Sequence, residues 1–381
     1  MRIISALRLN YSKEEKNEIA EGVNEILNSG FLTMAAKVIQ FEKLFAEFVG
    51  VKYAIAVNSG TSALEIPLRA LNVEGKSIII PTNTFMATPL AALHAGARVI
   101  FADVSKDSLS IDPNEIKKNI TDETVGVIVV HIGGIISSEW RKIKKICKSN
   151  DLFILEDAAH AHGATIDGKF AGSLGTAGSF SFYPTKIINT AEGGMITTND
   201  DKIYKLCLVL REHGKTNPKI DIHSELGYNW RFSEFHALLG IQQMRKLPWM
   251  LSERRRLADI YDKLIEDIKG VESVVIPDNI ECSYYKYILF LSTKYDPISI
   301  KEKMRTEFGI YLPSEVYNYL SHSQPLFKKY PELVTNGSRR KFDGATFVST
   351  HQICLPLYPG LNDDELMYVV DSLKSVLESL N

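Results

Sequence analysis

The lysine at position 186 could act as a nucleophile. It follows the apolar run AGSFSFY (177–183), and its next two neighbours are Ile187 and Ile188. Burial among apolar residues lowers the pKa of a lysine, and the neutral amine can attack a carbonyl carbon to form a Schiff base. Pro184 restricts the backbone before the lysine, so the loop can hold it in one direction. Because a single lysine is more often a solvated surface charge, Lys186 indicates chemistry only together with other groups.

An acid and an anion-binding turn follow two further apolar runs. Asp157 ends the run LFILED, where a buried carboxylate requires a cationic partner such as a protonated ring nitrogen or a metal ion. The turn NSGTSAL (58–64) opens a helix, so the backbone around Gly60, Thr61 and Ser62 could bind a phosphate. The alternatives are an ordinary helix cap for the turn and a metal site for the acid. The absence of an H-E-x-x-H motif disfavours the metal.

These three groups together match the needs of pyridoxal phosphate, which are a phosphate cradle, an acid at the ring nitrogen and a Schiff-base lysine. Each group lies at the end of an apolar run, and the carboxyl ends of parallel strands meet at one edge of a sheet. Two alternatives remain. The segment GSLGTAG (172–178) resembles a nucleotide loop but has the order G-x-x-G-x-x-G, which weakens the hypothesis of a Rossmann enzyme. A non-catalytic binding protein or regulator is the second alternative.

A large α/β domain must position these groups. Short apolar runs alternate with helix-like segments, which predicts a mostly parallel central sheet flanked by helices on both faces. The predicted strands are 53–57, 77–81, 98–104, 125–132, 152–157, 177–183 and 194–199, and the helices between them are 61–71, 86–94, 112–118 and 139–148. Two helices are predicted before this region, after the capping-box pattern of Ser12 and Glu15 and at 37–49.

The predicted large cofactor-binding domain comprises residues 1–245, and a smaller α+β domain comprises residues 246–381. One helix is predicted to start after LGYNWRFSE and a second, longer one to follow Pro248 and lead into the small domain. Within the small domain we expect strands near 272–276 and 284–292 and helices near 298–308 and 363–379.

Composition excludes several classes of function. The chain has 381 residues, with 44 Lys and Arg against 46 Asp and Glu, and this net charge of -2 argues against nucleic-acid binding. Its four cysteines are far apart in sequence, which is typical of free thiols in a reducing cytosol and not of a zinc ribbon. The longest apolar stretch, 126–136, is too short to span a bilayer. We therefore expect a cytoplasmic enzyme with no metal and no membrane partner.

The chain resembles the DegT/DnrJ/EryC1/StrS family of PLP-dependent sugar aminotransferases, which have fold type I of the aspartate aminotransferase superfamily. The resemblance covers nearly the whole chain and rests on these motifs, in order: NSGTSAL, PTNTFMAT, EDAAHAHGA, SFSFYPTK, EGGM, LGYNWRFSE and LPLYPGL. It implies transfer of an amino group from glutamate to a keto-sugar linked to a nucleoside diphosphate. Alternatives are a keto-cyclitol substrate or a sugar dehydratase of the same fold. Because the dehydratase branch replaces the lysine by histidine, Lys186 disfavours that alternative.

The resemblance also implies the roles of individual residues. Lys186 would form the Schiff base and carry protons, and Asp157 would contact the pyridine nitrogen. Asn229 would reach the cofactor of a neighbouring subunit, which implies a homodimer with shared active sites. The remaining residues implied to bind the cofactor are Gly60, Thr61, Ser62, Phe85, His160 and Ser181. Residues implied to bind the substrate are Thr33, Tyr183, Arg231 and His322.

Some positions bear on which sugar is used. His160 stands where many relatives have Gln, and some relatives with His there aminate a 4-keto sugar, which slightly favours amination at C4. The chain has Ala35-Ala36-Lys37-Val38 where relatives usually have Gly-Pro-Lys-Val, and residues 131–140 also depart from the family's pattern. The nucleotide, the sugar and the ketone position therefore stay open.

Overall fold

The computed structural model describes residues 2–9, 11–217, 220–336 and 340–380. Its α-helices are α1 (Lys13–Ser29), α2 (Ala36–Val49), α3 (Gly60–Ala70), α4 (Ala87–His94), α5 (Pro113–Asn119), α6 (Trp140–Ser149), α7 (Asp201–Arg211), α8 (Glu234–Ile265), α9 (Pro297–Phe308), α10 (Pro325–Lys329), α11 (Asp343–Thr350) and α12 (Asp363–Ser379). Its strands are β1 (Tyr53–Val57), β2 (Ser77–Pro81), β3 (Arg98–Ala102), β4 (Thr124–Val130), β5 (Phe153–Asp157), β6 (Thr165–Ile166), β7 (Lys169–Phe170), β8 (Ala177–Ser181), β9 (Gly194–Thr198), β10 (Val271–Ser273), β11 (Ile280–Glu281), β12 (Tyr287–Leu291) and β13 (Gln352–Leu355).

The central sheet has seven strands in the order β1-β9-β8-β5-β4-β2-β3. Strands β3, β2, β4, β5 and β8 pair in parallel, and β9 runs antiparallel to both of its neighbours, β1 and β8. The predicted mostly parallel sheet is therefore confirmed, and each of the seven predicted runs is one of its strands. The runs predicted at 98–104, 125–132 and 177–183 end as strands two residues earlier than expected.

Both faces of this sheet are buried. Ile78 and Ile80 of β2 belong to one hydrophobic core, whereas Ile79 between them belongs to the core on the opposite face. Val127 and Ile128 of β4 divide in the same way, because successive side chains of a strand point to opposite faces. With both faces covered, the polar side chains available to a ligand are those at the ends of the strands.

The two helices predicted on either side of Pro248 are one continuous helix, α8, so that expectation was wrong. A proline inside a helix removes a backbone hydrogen bond and costs about 3 kcal/mol. Here the helix is held on both sides of the proline, since Ile241 before it packs into a core of the large sheet and Tyr261 after it packs into the core of the C-terminal region. Burial of these apolar side chains offsets the cost. The domain division after residue 245 falls within α8 and stays a prediction.

The C-terminal region is an α+β unit, as expected. Strands β10, β12 and β13 form an antiparallel sheet, and α9 and α12 contribute to the same core. The N-terminal segment joins this unit: the N–H of Ile4 donates to Gly309 O at 3.0 Å, and the N–H of Tyr311 donates to Ile4 O at 2.9 Å. Across the described ranges, no helix has both the length and the apolar character needed to cross a membrane.

A buried glutamate fixes the start of α2, where the sequence departs from the family's pattern. Ala35 precedes this helix and has no side chain able to cap it. Glu234, the first residue of α8, is 2% exposed and accepts the backbone N–H groups of Ala35 and Val38, both at 2.9 Å, and of Lys37 at 2.8 Å. The cap that α2 lacks in its own sequence is therefore supplied from α8.

Replacing Glu234 by alanine should destabilise the protein. Glu234→Ala leaves three backbone N–H groups without their acceptor, and we expect the free energy of unfolding to fall by about 2–4 kcal/mol. Urea unfolding followed by circular dichroism measures the change. The control is Glu47→Ala on α2, the helix that Glu234 caps, because the exposed ion pair of Glu47 with Lys43 contributes less than about 0.5 kcal/mol. An equal, small effect of both variants would contradict this role of Glu234.

Candidate active site

A cavity of about 540 Å³ lies at the carboxyl ends of the parallel strands. It is lined by the last residues of β4, β5 and β8, by the start of α3 and by the loop after β2. The structure brings together at this cavity eight of the residues that the sequence analysis named, which are Gly60, Thr61, Phe85, Asp157, His160, Ser181, Tyr183 and Lys186. The residues named there that do not line it are Ser62, Thr33, Asn229, Arg231 and His322.

The N-terminus of α3 offers backbone donors to an anion. Ser59 and Ser62 cap the helix reciprocally, and the N–H of Ser62 donates to Ser59 Oγ at 3.1 Å. The cap therefore uses the N–H of Ser62 that was expected to contact a phosphate. Gly60 and Thr61, at the cavity, have no intramolecular acceptor for their N–H groups within the described chain. A Cβ on Gly60 would lie 2.6 Å from Ser181 Cβ, so only glycine lets the end of β8 approach this helix start.

Asp157 presents a buried carboxylate with no cationic side chain at ion-pair distance in the described chain. It is 6% exposed; its Oδ2 accepts from the Thr88 hydroxyl at 2.7 Å, and its Oδ1 accepts from the N–H of Ala159 at 3.2 Å. Burial raises the pKa of Asp157, whereas these two hydrogen bonds and the charge of Lys186 act in the opposite direction. A ligand with a protonated ring nitrogen would supply the positive charge that this carboxylate lacks.

A tight turn holds Lys186. Its N–H donates to Tyr183 O at 2.9 Å, with Pro184 at the second position of the turn, where its fixed φ is favourable. Ile187 and Ile188 are 4% and 1% exposed, so the residues after the lysine anchor the loop in the core. The backbone is therefore held on both sides of Lys186, and this directs its side chain into the cavity.

The amine of Lys186 lies in surroundings that favour its neutral form. Its Nζ lies 4.8 Å from the centroid of the Tyr285 ring. Burial lowers the pKa of Lys186 to about 8; the charge of Asp157 raises it and that of Lys286 lowers it further. A pKa near 8 leaves roughly a tenth of the amine neutral at pH 7, many times more than for a solvated lysine. Lys186 can therefore act as a nucleophile and a base.

His160 is a neutral imidazole with a defined tautomer. Burial, more than the nearby lysines, lowers its pKa well below the usual value. Its Nδ1 accepts the N–H of Gly133 at 3.3 Å, so Nε2 carries the proton and donates to the hydroxyl of Tyr317 at 3.1 Å. The ring also stacks on Tyr285, with centroids 4.1 Å apart. The hydroxyl proton of Tyr317 is thus free to donate to a ligand in the cavity.

The glycine-rich loop GSLGTAG is occupied by the protein's own carboxylate. Glu156 is fully buried, and it accepts the N–H groups of Leu174 and Gly175, both at 2.7 Å, and of Gly172 at 2.8 Å. His131 Nε2 lies 2.9 Å from the same carboxylate. Because the N–H groups of this loop bind Glu156, they are not available to a nucleotide, and the Rossmann alternative is contradicted.

Thr33 and Arg231 each form a hydrogen bond within the chain. The hydroxyl of Thr33 donates to Phe232 O at 2.8 Å, which joins the loop before α2 to the start of α8. Arg231 Nη1 forms an ion pair with Glu212 at 2.7 Å. Neither side chain lines the cavity of a single chain, and their contact with a substrate stays a prediction.

His322 and Asn229 also lie away from the cavity. His322 Nδ1 is 2.6 Å from the Thr82 hydroxyl, behind the loop that carries Phe85. Asn229 is exposed, with its backbone carbonyl accepting from the amide of Asn58 at 3.3 Å. Its expected contact with the cofactor of a neighbouring subunit stays a prediction. In the described ranges, no group of three or more His, Cys, Asp or Glu side chains could hold a metal ion.

Several residues of the cavity were not identified from the sequence. Tyr285 and Tyr317 come from the C-terminal region, where no motif singled them out. Thr88 was also missed; it does not line the cavity, but its hydroxyl donates to Asp157. It lies in the motif PTNTFMAT, three residues after Phe85, and this position in the motif was the sequence signal that could have identified it.

Comparisons with known proteins agree with this geometry. The chain is 33% identical over 380 residues to the spore coat polysaccharide biosynthesis protein SpsC of Bacillus subtilis (strain 168), with 95% of each chain covered. It is 31% identical to a GDP-perosamine synthase of Escherichia coli O157:H7, with 93% of this chain and 94% of that one covered.

Among solved structures, Helicobacter pylori PseC, an aminotransferase involved in the biosynthesis of pseudoaminic acid, superposes with a TM-score of 0.89 at 27% identity, covering 99% of this chain and 100% of that chain. The model of the DegT/DnrJ/EryC1/StrS aminotransferase family matches residues 13–374, which is nearly the whole chain. The protein therefore belongs to the DegT/DnrJ/EryC1/StrS aminotransferase family.

Proposed function

We propose that the protein is a pyridoxal-phosphate-dependent aminotransferase that moves an amino group from glutamate to a keto-sugar linked to a nucleoside diphosphate. The observation that carries the proposal is the convergence of Lys186, Asp157 and the N-terminus of α3 on one cavity. The relatives' names support a sugar substrate, since one is a GDP-perosamine synthase and another serves polysaccharide biosynthesis.

The residues at the cavity fit pyridoxal phosphate on three separate grounds. Asp157 is a buried carboxylate in need of a cation, and the ring nitrogen of the cofactor is a cation when protonated. The N–H groups of Gly60 and Thr61 and the hydroxyl of Ser181 lie together as donors for the phosphate. The ring of Phe85 is 60% exposed at the cavity, as expected for an aromatic side chain that a flat ligand covers.

The side chains divide the chemistry between them. Pyridoxal phosphate, when bound, supplies a conjugated ring that accepts the electron pair left when a proton leaves the amino-bearing carbon. Asp157 would pair with the ring nitrogen of the bound cofactor and favour its protonated form. The neutral Nζ of Lys186 is the base that takes the proton from the donor's α-carbon and later returns a proton to the sugar carbon that receives the amino group. Tyr317, aligned by His160, can donate its hydroxyl proton to a substrate oxygen.

A homodimer with shared sites is part of the proposal, in agreement with the family resemblance. Asn229 follows a segment whose apolar side chains are exposed in the single chain: Ile222 by 62%, Leu226 by 84% and Tyr228 by 52%. Several exposed apolar side chains within one short segment favour contact with another protein surface. The family resemblance implies that Asn229 reaches the cofactor of a second copy, and these exposed side chains next to it are a surface that such a copy would cover. A cytoplasmic location likewise stays a proposal.

The test of the function is amination of a nucleotide-linked keto-sugar. With pyridoxal phosphate and glutamate, we expect at least one of a panel of UDP-, dTDP- and GDP-linked keto-sugars to gain an amino group, detected by mass spectrometry. Lys186→Ala should reduce the rate by at least about 10²–10⁴, because it removes the base. Lys106→Ala, at an exposed lysine that does not line the cavity, is the control. Failure of every keto-sugar with the cofactor bound, or full activity of Lys186→Ala, would contradict the proposal.

The depressed pKa of Lys186 gives a pH-dependent signature in the apoprotein. The neutral, reactive amine forms as the pH rises through the pKa, which is about 8 for Lys186 and about 10.4 for a solvated lysine. Competitive labelling with acetic anhydride, read by peptide mass spectrometry, should therefore give Lys186 a midpoint near pH 8, well below the value of a solvated lysine. Asp157→Asn should lower the midpoint further, since the carboxylate raises this pKa. A midpoint for Lys186 at the ordinary value of a solvated lysine would show that its amine is not buried.

Mixed dimers test whether Asn229 serves a neighbouring site. Asn229→Ala and Lys186→Ala subunits should each be impaired alone, but a mixed dimer would contain one site lacking both groups and one intact site. After mixing under conditions that allow subunit exchange, we expect activity to return to about a quarter of the wild-type value. No gain on mixing, or a fully active monomer by light scattering, would contradict shared sites.

A further inference from the structure

A second, smaller cavity of about 170 Å³ adjoins the active-site cavity. Thr185, Tyr285 and Ser314 line both cavities, so the two are neighbours across these side chains. The smaller cavity contains two cationic side chains, Arg254 and Lys286, and much of its remaining wall is apolar. We refer to it as the Lys286 pocket. The family resemblance assigned no role to either cation.

Neither cation of the Lys286 pocket is neutralised in the described chain. Arg254 is 3% exposed; its Nη1 donates to the carbonyls of Tyr284 at 2.8 Å and Leu357 at 2.9 Å, and its Nε is buried with no hydrogen-bond partner. Lys286 Nζ is 3.4 Å from the hydroxyl of Ser314. No carboxylate lies at ion-pair distance from either side chain in the described ranges.

The nearest acid does not compensate these charges. Glu315 follows Ser314 in sequence, but its carboxylate pairs with Lys301 and accepts a hydrogen bond from Asn318. Burial lowers the pKa of Lys286, and the charge of Arg254 lowers it further while Glu315 acts the other way. Arg254 is buried and Lys286 is partly buried, so their positive charges are costly without a counter-ion, and an anionic ligand would reduce that cost.

We propose that the Lys286 pocket binds the side-chain carboxylate of a dicarboxylic amino donor such as glutamate. Lys286 Nζ lies 5.3 Å from the centroid of the Tyr285 ring, the same ring that Lys186 Nζ approaches to 4.8 Å. A donor whose α-amine reaches the Lys186 end of the active site can therefore place its second carboxylate beside Lys286. The hydroxyls of Thr185 and Ser314 are further donors at the boundary between the cavities. This inference rests on the proposed aminotransferase function.

Size favours a carboxylate over the diphosphate of the sugar substrate. A volume of 170 Å³ corresponds to roughly five or six water molecules at about 30 Å³ each. That space holds a carboxylate and the methylene groups next to it. Pockets for ligands of nucleotide size measure roughly 300–1,000 Å³, a range that the active-site cavity reaches and the Lys286 pocket does not.

The first test measures binding of glutarate, a dicarboxylate without an amine, to the holoenzyme by calorimetry. Lys286→Met keeps most of the side-chain volume and removes the charge, and we expect it to weaken glutarate binding at least about tenfold. Lys286→Arg should restore most of the affinity. Lys106→Met removes a lysine that is stacked on Phe347 and does not line the Lys286 pocket; it is the matched control and should bind glutarate like the wild type. Because glutarate cannot react, this result does not depend on transamination.

The second test compares amino donors in the glutamate half-reaction, followed by the change in cofactor absorbance. Lys286→Met should lower kcat/KM for glutamate relative to alanine, which has no second carboxylate, at least about tenfold. The KM for the keto-sugar should stay within about twofold of the wild type. Glutarate binding that is undetectable in the wild type or unchanged in Lys286→Met would overturn the inference, as would an effect on the sugar KM alone. If glutarate binds as expected while no keto-sugar is aminated, the proposed sugar substrate is contradicted, but the inference that the Lys286 pocket binds a carboxylate is still supported.

Discussion

The active site depends on two buried groups of opposite charge that share a cavity without forming an ion pair in the described chain. Burial raises the pKa of Asp157 and lowers that of Lys186, while the attraction between them acts against both shifts. An ion pair would leave neither a carboxylate for a ring nitrogen nor a neutral amine for attack. The two are therefore held separately. Thr88 and the N–H of Ala159 fix the carboxylate, and the turn from Tyr183 fixes the lysine.

The end of β5 shows how one strand provides both structure and chemistry. Glu156 and Asp157 are adjacent, and adjacent side chains of a strand point to opposite faces of the sheet. Glu156 binds the N–H groups of the glycine-rich loop and His131, whereas Asp157 faces the cavity. A change of register by one residue would exchange these positions and remove both functions. The packing of the loop against β5 thus protects the position of Asp157 at the cavity.

The sequence predicted most of what depends on local pattern. Apolar runs buried on both faces identified the strands of the central sheet, and residues at the ends of those runs identified Asp157, Lys186 and the turn at Gly60. Tyr285, Tyr317 and Lys286 could not be found in this way, because they reach the cavity through the packing of the C-terminal region against the sheet. The helix break predicted at Pro248 was wrong for a similar reason. Local propensity favours the end of a helix at a proline, but buried side chains on both sides of Pro248 stabilise one continuous helix. The motif NSGTSAL led us to expect the N–H of Ser62 at a phosphate. The sequence alone does not reveal that this N–H donates to the hydroxyl of Ser59 in the helix cap.

The continuous helix α8 affects how the protein unfolds. Its first half packs in a core of the large sheet and its second half in the C-terminal core, so the two cores share one hydrogen-bonded segment. Ile4 is a second link between distant parts of the chain, because this N-terminal residue packs in the C-terminal core. A cut within α8 would strip apolar side chains from both cores at once. The two regions are therefore interdependent folding units, and local opening of either one is coupled to the other through the backbone of α8.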